Sequence, residues 1–161
     1  MNETDTRLLR LAIDVAHRSV AGGNQPFGAL LADSAGNVLL EGENTVETER
    51  DCTGHAETNL MRKASRRYDR EYLADCTLYT SAEPCAMCAG AIFWGNVRRV
   101  VYALAIEPLY DIIQDHPNNP SLYMHAGEVL ARATQPFEVI GPAPELHAEA
   151  TRIQIDYWGN L

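Results

Sequence analysis

Residues 76–104, CTLYTSAEPCAMCAGAIFWGNVRRVVYAL, decide the fold. Residues 76–81 alternate as a strand does, Pro84 suits the first turn of a helix, and residues 85–94 are rich in Ala and apolar side chains. Gly95 ends that helix, and residues 99–104 form a second strand. Upstream, residues 55 to about 68 place Ala56, Leu60, Met61 and Ala64 at helical spacing, with Thr53 as the expected N-cap. Residues 27–31 and 38–40 read as strands joined by the turn Asp33-Ser34-Ala35-Gly36-Asn37, which makes a hairpin. The middle of the chain therefore alternates strand and helix, a pattern that favours parallel pairing with helices packed on the sheet.

Outside this stretch the signals thin. Residues 4–21 carry Leu8, Leu11, Ala12, Val15 and Ser19 at helical spacing, and Gly22-Gly23 closes that helix. After Glu107, three prolines (Pro108, Pro117 and Pro120) break up the segment containing Ile112 and Ile113. A helix near 122–132, a short strand at 137–140 and a helix over 144–158 are expected beyond it. No repeat, low-complexity tract or linker interrupts the 161 residues, a length in the range of one domain.

The chemistry lies in two short motifs, His55-Ala56-Glu57 and Pro84-Cys85-Ala86-Met87-Cys88, each at an expected helix start. Cys85 and Cys88 are i, i+3, so both thiolates share one helix face, and the helix dipole there favours the ionised form. One imidazole and two thiolates supply three ligands to a zinc ion. A structural zinc takes four protein ligands, whereas three leave a position for water, whose pKa the metal lowers toward neutrality. Glu57 lies on the same turn as His55 but points elsewhere, which suits a proton carrier working as general base and then general acid.

Each motif also has a plainer reading. A C-x-x-C alone can be a redox pair, but the surrounding sequence is not thioredoxin-like and a His-x-Glu precedes it. Cys52, three residues before His55, is the one nearby candidate for a fourth, structural ligand. Cys76 sits in an apolar stretch and reads as a core residue. A second His-x-Glu, His147-Ala148-Glu149, has no partner cysteines and falls in an amphipathic helix, so surface polarity accounts for it.

Charge bears on partners. The net charge is −9, and residues 135–161 hold Arg152 alone against Glu138, Glu145, Glu149 and Asp156. Nucleic-acid binding needs a basic footprint. The one basic cluster, Arg62, Lys63, Arg66, Arg67 and Arg70, reads as a solvated helix face. The first ten residues hold no apolar signal region, and no apolar run is long enough to span a bilayer. A cytoplasmic location without membrane partners is the simplest expectation.

On the two motifs, their order and their helix-start placement, the sequence resembles the cytidine-deaminase superfamily of zinc-dependent deaminases over residues 8 to about 103. The resemblance implies a three-layer α/β/α fold around a mixed sheet of about five strands, one zinc per chain held by His55, Cys85 and Cys88, and Glu57 as the proton shuttle. Pro26-Phe27-Gly28-Ala29 with Asn44 is similar to the guanine and tRNA adenosine deaminase branch, and residues 88–94 most resemble bacterial guanine deaminase. That likeness implies a free base lying along Phe27, edge contacts from Asn44 and Ala56, and a border at Trp94. It also implies an aspartate contact, Asp111 first and Asp115 second, and a homodimer whose C-terminal segment, about 121–161, carries Tyr157 and Trp158 toward the partner's site. Core packing for Phe27, a turn role for Asn44 and burial of Tyr157 and Trp158 stand as alternatives. Two departures from the guanine deaminase pattern are Ser81-Ala82-Glu83, where a second cysteine is common, and the unrecognisable stretch 106–119. The expected substrate is guanine. Cytosine or another small aminoheterocycle, adenosine in tRNA, and a non-catalytic zinc module that binds a partner follow as alternatives.

Overall fold

The computed structural model describes residues 1–113 and 120–159. In chain order the elements are α1 (Glu3–Ala21), β1 (Gly28–Ala32), β2 (Val38–Glu43), α2 (Val46–Glu49), α3 (Ala56–Arg67), α4 (Arg70–Ala74), β3 (Thr77–Ala82), α5 (Ala86–Gly95), β4 (Arg99–Leu104), α6 (Ile106–Ile113), α7 (Ala126–Leu130), β5 (Glu138–Ile140), a 3-10 turn (Pro144–Leu146) and α8 (His147–Trp158). Among the described residues no helix is long and apolar enough to cross a membrane.

The strands form one five-stranded mixed sheet in the order β2-β1-β3-β4-β5. The hairpin pairs antiparallel, and β1 also runs antiparallel to β3. Parallel pairing begins only at β3–β4 and continues to β5. The expectation of parallel neighbours through the middle of the chain is thus corrected in one place: the connection through α3 steps over β1, so β2 and β3 point the same way without touching. β1 and β3 are buried along their whole length, as central strands covered on both faces should be.

Two apolar clusters occupy the two faces. Leu8, Leu9 and Ile13 of α1 pack with Ile106, Leu109 and Ile113 of α6 and with Leu146, Ala150 and Trp158 on one side. Ala56, Leu60 and Ala64 of α3 pack with Ile92 of α5 and with Ala126 and Leu130 of α7 on the other. This is the three-layer α/β/α arrangement. Two glycines set the layer spacing. A Cβ on Gly28 would lie 2.3 Å from Ala16 N of α1, and one on Gly42 would lie 2.3 Å from Ala56 O of α3.

Local differences from the sequence expectation have simple causes. Thr53 does not cap α3, because its hydroxyl bonds to Asp51 Oδ1 at 2.7 Å; His55 takes the N-cap position. Pro84 stands just outside α5, with Cys85 as its N-cap residue. Pro108 does not break α6 but lies in its first turn, where backbone N–H groups have no intrahelical acceptor. The helix expected over 122–132 contracts to α7, and the C-terminal helix begins with its 3-10 turn.

α1 is fastened to the sheet through Asp5. That carboxylate completes a capping box with Asn2, accepts from Tyr79 Oη at 2.8 Å, and takes both Arg99 terminal nitrogens at 2.9 and 3.0 Å. Burial alone would raise its pKa. The hydrogen bonds from Arg99, Asn2 and Tyr79 and the Arg99 charge outweigh that and hold it at about 2. A carboxyl depressed in the folded state stabilises above its unfolded pKa, and that stability is lost as pH falls through the folded value. Asp5→Asn should therefore cost about 2 kcal/mol in urea unfolding at neutral pH, with the difference from wild type fading between about pH 4 and pH 2. A difference that stays constant across that window would show that the ion pair is not its source.

Candidate active site

The starts of α3 and α5 face one another at one end of the sheet. Their approach has a local cause: Gly42 lets α3 lie directly on β2, while the parallel β3–α5–β4 unit brings α5 alongside it. His55, at the N-cap of α3, has Nδ1 3.6 Å from both Cys85 Sγ and Cys88 Sγ. The three ligand atoms all lie within 4.8 Å of one another, the one such His/Cys/Asp/Glu group found among the described residues. In a tetrahedral site with Zn–N near 2.0–2.1 Å and Zn–S near 2.3 Å, nitrogen and sulfur ligands stand about 3.6 Å apart. The donor set and its spacing fit zinc. Cys52 is not in the group but lines the adjoining cleft, so the closed four-ligand arrangement is not formed.

The electrostatics suit a cation. Hydrogen bonding with Cys88 and His55 outweighs burial and holds the Cys85 thiol down at about 4. The same bond to Cys85, together with burial, pushes Cys88 up. The Cys85 contact raises His55 against the opposing effect of burial.

Glu57, one residue into α3, is 5% exposed. Its Oε1 accepts from the Thr80 hydroxyl of β3 at 2.8 Å, and its Oε2 lies 3.4 Å from Cys88 Sγ. Burial pushes its carboxyl up, and the Cys85 charge adds to this. A carboxyl kept partly out of water beside a metal group can both take and give a proton.

A cavity of about 380 Å³ opens onto this group. Phe27, His55, Glu57 and Cys85 contribute to its inner part, and Ile106, Leu109, Tyr110, Ile113 and Leu122 supply an apolar wall. A mostly apolar pocket with few polar groups suits a small planar ligand. A larger depression of about 530 Å³ lies elsewhere, between β2 and α3, and holds Glu41, Glu43, Glu49, Arg62, Lys63 and Arg66. There Lys63 bonds to Glu41 O, while Arg62 bonds to Asn59 and Arg70 to Trp94 O. Three of the five basic side chains of the cluster thus make local hydrogen bonds.

The other expected residues divide. Phe27 lines the cleft. Asn44 is buried and not among the cleft-lining residues; its backbone N–H bonds to Phe27 O, its Oδ1 accepts from Val46 N, and its Nδ2 has no partner among the described residues. Ala56 is buried at the first position of α3. Trp94 is 74% exposed on α5 and is not brought to the cleft of its own chain. Asp111 is exposed on α6, where Leu109, Tyr110 and Ile113 line the cleft instead, and Asp115 lies outside the described residues. Trp158 is buried in the core beside half-buried Tyr157 and donates to Gln154, whose amide donates to Pro26 O. That chain of bonds steadies the turn carrying Phe27. Three participants escaped the sequence reading: Thr80, which holds Glu57, and Glu83 and Tyr110, which shape the cleft. Of these only Glu83 carried a signal, as a charged residue directly before the Pro-Cys motif.

A family model described as the cytidine and deoxycytidylate deaminase zinc-binding region matches residues 2–104. The chain is 40% identical over 142 residues to the probable cytosine deaminase of Schizosaccharomyces pombe, covering 88% of this chain and 86% of that protein. It is 32% identical over 140 residues to a tRNA-specific adenosine deaminase of Haemophilus influenzae, covering 83% and 81%. A solved guanine deaminase structure from Nitrosomonas europaea superposes with a TM-score of 0.75 at 26% identity, over 94% of this chain and 83% of that one.

The three-ligand arrangement can be checked by metal analysis. Cys85→Ala and Cys88→Ala should each lose stoichiometric zinc, while Cys52→Ala keeps about one ion per chain. Loss of metal in Cys52→Ala would mean that the site is closed by a fourth thiolate.

Proposed function

The chain belongs to the cytidine and deoxycytidylate deaminase family of zinc-dependent hydrolytic deaminases, and we propose that its substrate is a free aminated nucleobase, guanine first. The observation that carries this reading is the cleft of about 380 Å³, in which Phe27 and an apolar wall share the lining with His55, Glu57 and Cys85. Phe27 offers the base an aromatic surface, and the apolar wall replaces the contacts a ribose would make. The likeness to the Nitrosomonas europaea guanine deaminase supports the purine.

Zinc, when bound, supplies the Lewis acidity that activates water at neutral pH. His55, Cys85 and Cys88 hold the ion. Glu57 takes one proton from the attacking water and passes it to a ring nitrogen; it then moves the remaining hydroxyl proton to the amine, which leaves as ammonia while that oxygen becomes the ring carbonyl. Thr80 orients the Glu57 carboxylate through its 2.8 Å bond.

Cytosine is the second reading, supported by the relative from Schizosaccharomyces pombe, which matches over most of both chains. Adenosine in tRNA is disfavoured by the net charge of −9 and by the engaged basic cluster. A non-catalytic zinc module would have no use for a buried carboxylate aimed beside the metal group. We assign the exposed apolar residues Met87, Trp94, Leu122, Tyr123 and Met124 to contact with a second copy of the chain. Trp94 then belongs to an interface instead of to the cleft of its own chain.

Zinc-loaded protein should release ammonia from guanine faster than from cytosine, adenine, their nucleosides or a tRNA anticodon stem. Glu57→Ala should keep its zinc while turnover falls by about 10²–10⁴-fold. Unchanged turnover in that variant would remove Glu57 from the chemistry, and best turnover on folded RNA would overturn the free-base assignment.

A further inference from the structure

Glu83 lies between the last residue of β3 and the Pro84-Cys85 turn. Its side chain is 2% exposed, and its backbone N–H donates to Leu104 O at 2.8 Å, which ties the turn to the end of β4. A carboxylate buried this fully must find donors close at hand. Its donors come from two other helices. Oε2 accepts from Ile106 N, the first N–H of α6, at 3.3 Å; Oε1 accepts from Ala126 N, the first N–H of α7, at 3.1 Å.

Neither helix caps itself. Ala105 precedes α6 and has no side-chain acceptor, and His125 at the start of α7 makes no capping bond. His125 binds Glu83 Oε1 through Nδ1 at 3.1 Å and Glu107 of α6 through Nε2, also at 3.1 Å. A single carboxylate therefore serves as the missing cap of both helices, with an imidazole bridging their first turns.

Those helices flank the wall of the cleft. α6 contributes Leu109, Tyr110 and Ile113, and the segment leading into α7 contributes Leu122. Tyr110 Oη bonds to Leu122 O at 3.2 Å, and the Tyr110 and Tyr123 rings meet edge-on at 4.9 Å, so the wall is braced internally. Its attachment to the metal-bearing turn runs through Glu83.

We propose that Glu83 is a positioning residue for substrate binding, holding the apolar wall of the cleft against the turn that carries Cys85. The proposal rests on the reading of this cleft as a base site. It differs from the role of Glu57, which exchanges protons, because Glu83 acts on the reaction only through the place it gives the wall.

The test is Glu83→Gln. A glutamine amide keeps one acceptor oxygen and turns an NH₂ group toward the other helix start, so one cap is lost at constant size. Amide exchange over 106–113 or 126–130 should quicken about tenfold, and KM for the best base should rise about tenfold with kcat within about threefold and zinc content unchanged. His125→Ala, which leaves both caps but removes the bridge, should give a smaller KM rise in the same direction. Should Glu83→Gln fail to fold, Glu83→Asp, whose carboxylate is one methylene too short to reach both helix starts, decides, and unaltered protection of both helices there overturns the proposal. A kcat loss at constant KM in Glu83→Gln, loss of zinc from the folded variant, or unchanged exchange overturns it as well. If wild-type protein turns over none of the bases, the substrate reading fails, while exchange at the two helix starts still judges Glu83.

Discussion

The meeting of two helix starts governs this molecule. A metal group drawn from His55 on α3 and Cys85 and Cys88 on α5 needs nitrogen and sulfur within 3.6 Å, so two independent elements must be placed to a fraction of an ångström. The sheet does the placing. β3 and β4 pair in parallel and fix α5 between them, while α3 sinks onto β2 at Gly42, where a side chain would collide with the Ala56 carbonyl. Gly28 does the same for α1 on the opposite face, so both outer layers close tightly on central strands that have no exposed side. The dipoles of both helix starts point toward the group and favour its thiolates.

Among the described residues three carboxylates are buried, and each is compensated differently. Asp5 has a guanidinium, a phenol and a capping amide, and its pKa sits at about 2. Glu83 has two helix-start N–H groups and an imidazole. Glu57 has a threonine hydroxyl and a thiol, and burial with the nearby Cys85 charge pushes its pKa up. The first two tie elements together: Asp5 joins α1 to β3 and β4, and Glu83 joins the metal-bearing turn to the starts of α6 and α7. On the proposed mechanism the third, raised by burial, is the group that exchanges protons.

The sequence revealed those parts of the site whose placement is local. His55, Glu57, Cys85 and Cys88 lie at helix starts that spacing, proline and apolar periodicity already marked, and the layers followed from alternating strands and helices. What stayed hidden depends on partners distant in the chain. Thr80 reads as an ordinary strand residue until the fold sets it under Glu57. Glu83 reads as a departure from a cysteine-rich motif, because its partners lie 23 and 43 residues further on. α6 was obscured because Pro108 was weighed as a breaker, although a first-turn proline costs no hydrogen bond. Trp158 shows the converse: resemblance carried it toward another subunit's site, while its ring packs into its own core and its indole N–H reaches Gln154.

This division also explains why the reaction is easier to read than the substrate. Activating water and moving protons require four side chains on two rigid elements, and any fold that keeps those elements keeps the chemistry. On the proposed reading, recognition of one heterocycle over another falls to the cleft wall, to which α6 contributes from a stretch, 106–119, that departs from the guanine deaminase pattern. Proteins named as cytosine, guanine and tRNA-specific adenosine deaminases are all similar to this chain. If Glu83 sets where that wall stands, the shape of the pocket is coupled to the metal-bearing turn through one residue. The wall could then vary in sequence while its distance from the reacting centre was held constant, which is what a scaffold serving several bases requires.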